Sequence, residues 1–171
     1  QEIGYCIQAT SAGGYIVGTE LTGTDWLNHT TLIKLDAKGS EVWRQTYKEE
    51  GTNGSSPRVI RIADDGGFIV GGYTYNAKWT YDFYVLRTDA NGTKTWSSKI
   101  AYAAYQNIVY DICQTSDGGY ACACGADYLS GNVNQAFMMK LDASGAVVWQ
   151  KELGGAYEDQ LYGVRECADG S

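Results

Sequence analysis

"SDGGYACACG", residues 116–125, is the third version of a segment that also stands as "SAGGYIVGTE" at 11–20 and "DDGGFIVGGY" at 64–73. Gly14, Gly67 and Gly119 hold the same place in the three copies, 53 and then 52 residues apart. A second motif follows each copy: "LDAKGSEVW", "TDANGTKTW" and "LDASGAVVW". It sets Asp36, Asp89 and Asp142 at intervals of 53, and Trp43, Trp96 and Trp149 at the same interval. Lys34, Arg87 and Lys140 keep that register too. Two separate motifs advancing in step identify an internal repeat, and a period of roughly 50 residues belongs to stacked or radially arranged units.

Each unit reads as four short strands. In the third copy these are "VYDICQT", "YACACGAD", "AFMMKLD" and "AVVWQKEL". "SDGG" turns the chain between the first two, and "DASG" between the last two, where Gly145 is free to take positive φ. With 22 glycines, one proline and 13% aromatic residues, the composition suits strands joined by tight turns and suits helices poorly. "TLIKL", "FYVLR" and "FMMKL" are apolar on both faces, which calls for a sheet covered on both sides. The expected fold is therefore all-β, built from four-stranded antiparallel sheets arranged as β-propeller blades. The units run over 1–53, 54–106 and 107–158, and 159–171 is the first strand of a fourth, with a thirteenth strand near 161–167.

The pattern "DGGYxxxG … KLDxxGxxxW" resembles the repeat of secreted bacterial and archaeal β-propellers, and its glycine-rich second strand is similar to that of kelch repeats. The "LDAxGxxxW" end resembles the tryptophan-docking motif of quinoprotein and outer-membrane-assembly propellers, one residue shorter between Asp and Gly. The resemblance covers nearly the whole chain and implies the fold. For function it implies little, because propellers host many unrelated activities.

Residues 1–15 align with 158–171, "GYCIQATSAGG" against "YGVRECADGS". Three blades do not close a ring that takes about 4–8, and an open arc leaves two apolar faces bare. The expected partners are further blades of the same chain or other copies. The net charge of −7 argues against a nucleic-acid partner, which would need Lys and Arg to neutralise phosphates. No apolar run approaches the ~20 residues of a membrane span.

Five cysteines leave at least one without a partner inside the chain, and their spacing fits no common zinc pattern. If Thr115 and Tyr120 flank a four-residue turn, Cys113 stands opposite Cys122 and a disulfide is open to them. The alternative is that Cys122 is a small buried hydrophobe standing where the other units have Val17 and Val70. No metal site and no cofactor is expected.

Three sequons, at Asn28, Asn53 and Asn91, fall in predicted loops and are candidate glycosylation sites, which would place the protein outside the cell or at its surface. Trp43, Trp96 and Trp149 read as structural, in equivalent buried places between blades. Trp26 and Trp79 differ, for they lie in the connection between the second and third strands, near Tyr75 and Tyr81. Such flat aromatics on a rim suit stacking on sugar rings, the alternative being that they cap the sheet ends. The third unit has Asn132 at that place. Asp36, Asp89 and Asp142 invite a calcium or catalytic reading, but an aspartate that opens a turn by bonding backbone N–H groups is the plainer one. No nucleophile, phosphate-loop or metal motif appears, and the single histidine, His29, has no evident catalytic partner. The function expected is a non-enzymatic extracellular propeller acting as a structural or binding module for glycans, proteins or neighbouring copies. The alternatives are a subunit of an extracellular filament and a propeller enzyme, quinoprotein-type or polysaccharide-active.

Overall fold

A computed structural model of the chain describes residues 1–102, 106–127, 134–155 and 157–168. Twelve strands form: β1 (Glu2–Ala9), β2 (Tyr15–Thr22), β3 (Asn28–Leu35), β4 (Glu41–Tyr47), β5 (Ser55–Ile62), β6 (Phe68–Tyr75), β7 (Tyr81–Thr88), β8 (Lys94–Ile100), β9 (Gln106–Gln114), β10 (Tyr120–Asp127), β11 (Asn134–Leu141) and β12 (Val147–Glu152). They make three four-stranded antiparallel sheets, β1–β4, β5–β8 and β9–β12, each paired in chain order. There is no helix among the described residues.

The repeat extends to irregularities. Each first strand carries one extra residue, Tyr5, Arg58 or Tyr110, between paired positions. Each fourth strand does the same at Val42, Thr95 or Val148. Bulges at matched places bend the three sheets alike. The tight turns are uniform as well. In eight of them the N–H of the opening residue donates to the C=O four residues on, and the N–H of the fourth residue returns to the opening C=O. Asp36, Asp89 and Asp142 open three of these turns, and each Oδ1 accepts two backbone N–H groups at 2.8–3.0 Å.

The sheets pack side by side, with β1, β5 and β9 in contact. Alternation along the strands of the middle sheet sends neighbouring side chains into two different cores. Phe68, Val70, Tyr84 and Leu86 pack with Ile16 and Leu32 of the first sheet. Ile69, Phe83 and Val85 pack with Ile112, Cys122, Phe137 and Met139 of the third. Close approach at the second junction depends on Gly71, where a β-carbon would lie 2.6 Å from the Val109 side chain.

The fourth-strand tryptophans tie successive sheets. Trp43 lies 6.0 Å from the Phe68 ring, and Trp96 lies 5.7 Å from Tyr120. A β-carbon on Gly92 would fall 2.8 Å from Trp43, and one on Gly145 2.6 Å from Trp96, so each indole occupies the space over the next sheet's Asp-x-x-Gly turn. Trp96 also donates from Nε1 to the Ala143 C=O at 3.1 Å. The expectation that the three tryptophans occupy equivalent buried places is not met: Trp43 and Trp96 are half-buried, and Trp149, over which no such turn lies among the described residues, is 44% exposed.

Two further expectations are corrected. Residues 157–168 form no strand. Each first strand of the three sheets is paired only with the second strand of its own sheet, and among the described residues no second strand lies beside 161–167. The segment instead lies along β9: Arg165 pairs with Asp111 at 2.6 Å, and Tyr162 packs 5.2 Å from Tyr110. The Cys113–Cys122 disulfide is also absent. The turn holds five residues, so Cys113 faces Ala121 while Cys122 faces Ile112, and the two thiols point to opposite sides of the sheet. Both are free.

Candidate functional site

The residue that closes each tight turn must accept a left-handed backbone. Gly13, Gly39, Gly66, Gly92, Gly118 and Gly145 do so, with φ between 78° and 84°. The two remaining turns of the eight, Gly23–Leu27 and Asn76–Thr80, put Trp26 and Trp79 in that seat, at φ 63° and 60°. A bulky L-residue there brings its β-carbon against the following carbonyl, at roughly 1–2 kcal/mol. The hydrogen bonds are otherwise unchanged. Trp79 N–H donates to the Asn76 C=O at 2.9 Å, and Asn76 Oδ1 accepts from Lys78 and Thr80 N–H as the turn aspartates do.

Neither indole repays the strain by packing inward. Trp26 is 87% exposed and Trp79 59% exposed. The turns project them from equivalent corners of the first and second sheets. Beneath Trp79 the sequence-predicted Tyr75 and Tyr81 do come together: Tyr75 lies 6.1 Å from Trp79 and 5.1 Å, edge-on, from Tyr81. Tyr73 stacks on Tyr81 at 4.3 Å. Arg58, on the bulge of β5, sits between the rings of Tyr5 and Tyr73, with its guanidinium carbon 4.1 and 4.9 Å from their centres. Burial, with the Tyr73 hydroxyl beside it, pushes the Tyr75 phenol well above its ordinary range. Trp26 stands apart from this group and makes no ring contact among the described residues.

The polar surroundings are more ordered than the sequence suggested. Asp25 receives Lys48 Nζ at 3.0 Å and lies 3.0 Å from His29 Nε2. Those two partners, Lys48 foremost, hold its carboxyl well below the usual range. His29 is thus buried in a structural pair. Glu20, only 8% exposed, accepts from Asn28 Nδ2 at 2.8 Å through one oxygen, while its Oε2 is buried without a partner. Its charge acts on both Tyr75 and Arg58.

The sequons differ in burial and in what their side-chain amides bond. Asn28 is the first residue of β3, half-buried, with its Nδ2 spent on Glu20. Asn53 is half-buried, with its Nδ2 donating to the Asn76 C=O at 3.0 Å. Both differ from the exposed loop sites expected; a strand end and a neighbouring sheet's turn have claimed the amides. Asn91 sits exposed in a turn. Asn132 lies outside the described residues.

Between the first strands, Gln8, Arg61, Cys113, Gln114 and Arg165 border a concave space. Arg61 and Arg165 both bond Asp111, whose buried carboxylate bridges them. Among the described residues no group of three or more His, Cys, Asp or Glu is placed to hold a metal.

Sequence reading found Trp26, Trp79, Tyr75 and Tyr81 and missed Glu20, Arg58 and Tyr73. A usable signal was present for the turn seat: "NAKWT" at 76–80 aligns with "DAKGS" at 36–40, tryptophan over glycine. The chain matches no protein-family model and no curated protein.

Proposed function

We propose that this chain is a run of β-propeller blades acting as a non-enzymatic extracellular module, which presents rim loops to binding partners and docks through its end faces on further blades or other copies. The observation that carries the reading is the repeated seating of one sheet's tryptophan on the next sheet's Asp-x-x-Gly turn. The two ends complement each other in those terms. Phe68 and Tyr120, under Trp43 and Trp96, are 1% and 3% exposed, whereas the equivalent Tyr15 is 43% exposed. Nothing lies within 4 Å of a β-carbon placed on Gly39, the seat the other two turns fill with an indole. At the opposite end Trp149 is uncovered and, with Met138, Lys140 and Val164, lines an apolar hollow.

Among the described residues, Tyr15 and Gly39 have no tryptophan over them and Trp149 has no turn over it. Covering a few hundred Å² of such surface contributes on the order of several kcal/mol, at about 25 cal/mol per Å². Seated copy on copy, unlike faces joined head to tail would extend into an open filament unless the rotation closes a ring. His29 is 4% exposed and paired with Asp25 through Nε2, which weakens the enzyme alternative at that residue, and exposed Asn91 is the sequon best suited to a glycan on a secreted protein.

Light scattering over a concentration series, with an apolar dye as a second readout, tests the reading. Self-association or dye binding is expected, and Trp149→Ser should reduce it. A cooperatively folded monomer that binds no dye would overturn it.

A further inference from the structure

We infer that Trp26 and Trp79 are separate stacking sites for pyranose rings of one neutral glycan chain. The inference rests on the rim-binding part of the proposed function and not on how the end faces are covered.

The first support is the seat itself. Six equivalent turns avoid strain by using glycine. The two that do not carry the same residue type at the same position of adjacent sheets. Packing does not explain the choice, because 87% of Trp26 and 59% of Trp79 face solvent. Strain retained at an exposed position points to work done on something outside the fold. The left-handed turn also fixes the backbone from which each indole projects, which lowers the ordering cost of binding.

The second support is the match of chemistry. A pyranose offers an apolar face of C–H groups and a rim of hydroxyls. An indole supplies a flat apolar partner for the face. The hydroxyls need acceptors and donors, and both indoles have them close in the chain. Asp25 and Lys48 form an ion pair beside Trp26, and Asn76 opens the turn that carries Trp79. A carboxylate accepts hydroxyl protons and repels phosphate, so with a net charge of −7 an anionic lipid surface is the poorer occupant.

The third support is number. Two indoles on neighbouring sheets suit a ligand with repeating rings better than one with a single ring, since the second contact is made at the high effective concentration set by the first.

The test titrates the 171-residue chain with soluble hexasaccharides of β-1,4-linked glucose, N-acetylglucosamine and xylose and of α-linked mannose, read by tryptophan fluorescence and calorimetry. At least one should bind. Trp26→Gly and Trp79→Gly should each lose about tenfold in affinity. The same variants should melt no lower than the parent, and Trp26→Gly up to about 2–4 °C higher, because glycine relieves the left-handed strain. Trp149→Ser should leave glycan affinity unchanged even where it alters self-association, so the end-face reading can fail on its own. Absence of binding to every sugar overturns the inference. So does equal affinity in the glycine variants, or a clear loss of thermal stability in Trp26→Gly, which would make the indole a packing residue. Binding to vesicles of anionic phospholipid that is lost in the glycine variants, without glycan binding, overturns it in favour of a membrane contact.

Discussion

The second and third sheets are written in the same repeat, yet they are finished differently. In β7, Phe83, Tyr84, Val85 and Leu86 are each 0% exposed, since alternate residues enter the cores on either side. In the third sheet one face is as closed as that, with Cys122, Cys124 and Met139 at 0%, while β12 is exposed along its length. Trp96 stands opposite Arg87 and Trp149 opposite Lys140, the same place in each sheet. One indole has a turn over it, and the other lines a hollow beside Val164 and is 44% exposed. The repeat thus determines where a tryptophan stands, and the neighbouring sheet determines whether it is buried.

The comparison is broken most directly at the centre. Phe83→Ala should cost about 3–5 kcal/mol, the usual range for emptying a packed aromatic site. Val148→Ala, on the 60% exposed β12 side chain, should stay within about 0.5 kcal/mol. Chemical denaturation measures both, and similar midpoints for the two variants would show that the middle sheet is not the covered one. The tryptophans give the next largest contrast. Trp96→Ala removes packing on Gly145 and a hydrogen bond to Ala143, and about 2–3 kcal/mol is expected. Trp149→Ala should cost less than about 1 kcal/mol in dilute protein. Equal losses would mean that Trp149 is covered in solution.

A smaller effect separates the cysteines. A disulfide between Cys113 and Cys122 would make either replacement cost the same, about 2–4 kcal/mol. With free thiols on opposite faces the losses are unequal. Cys122→Ser buries a hydroxyl where burial already pushes the thiol's pKa up, and should cost about 1–2 kcal/mol. Cys113→Ser, half-buried, should be nearly silent. Intact mass under denaturing alkylation should count five reactive thiols.

Periodicity carried the architecture because it is a property of the chain alone. The repeated Gly pair, the Asp-x-x-Gly turn and strands apolar on both faces specify hairpins and covered sheets without reference to anything distant. The errors arose where a neighbour decides. Trp149 reads like Trp96, but among the described residues no turn lies over it. Residues 161–167 read like β1, but among the described residues no second strand pairs with them. Cys113 and Cys122 look opposed until the turn proves to hold five residues instead of four, and one residue of register moves a side chain to the other face. Asn28 and Asn53 carry a legible sequon, but the amides are taken by Glu20 and by the Asn76 carbonyl, partners 8 and 23 residues away. The candidate site was half legible. Trp26 and Trp79 stood out as misplaced aromatics; the glycine-like seat of Trp79 was legible in "NAKWT" against "DAKGS", while that of Trp26, in a turn opened by Gly23, shows only in the structure.

The smallest expected effect compares one ion pair in each of the two sheets. Asp65 pairs with Arg87 at 2.5 Å and accepts Gly67 N–H, and Arg87 foremost holds its carboxyl below the ordinary 3.8. Asp117 pairs with Lys140 at 2.9 Å, but the Thr115 hydroxyl is its foremost partner, and the Gly119 N–H adds a third. Both pKa values are lower in the folded chain than in the unfolded one. The stability each contributes is therefore present above pH 3.8 and is lost as pH falls through the folded value. Replacing the cation removes the foremost partner of Asp65 and leaves that of Asp117 in place. Arg87→Met should flatten the acid loss of melting temperature, followed between about pH 5 and pH 2, more than Lys140→Met does. Both pairs are solvent-reached at the carboxylate, with Asp65 68% and Asp117 64% exposed, so salt should shrink the difference. Identical acid profiles for the two variants would show that Thr115 does not hold Asp117 in place of the cation, and that the two sheets end in the same ion pair after all.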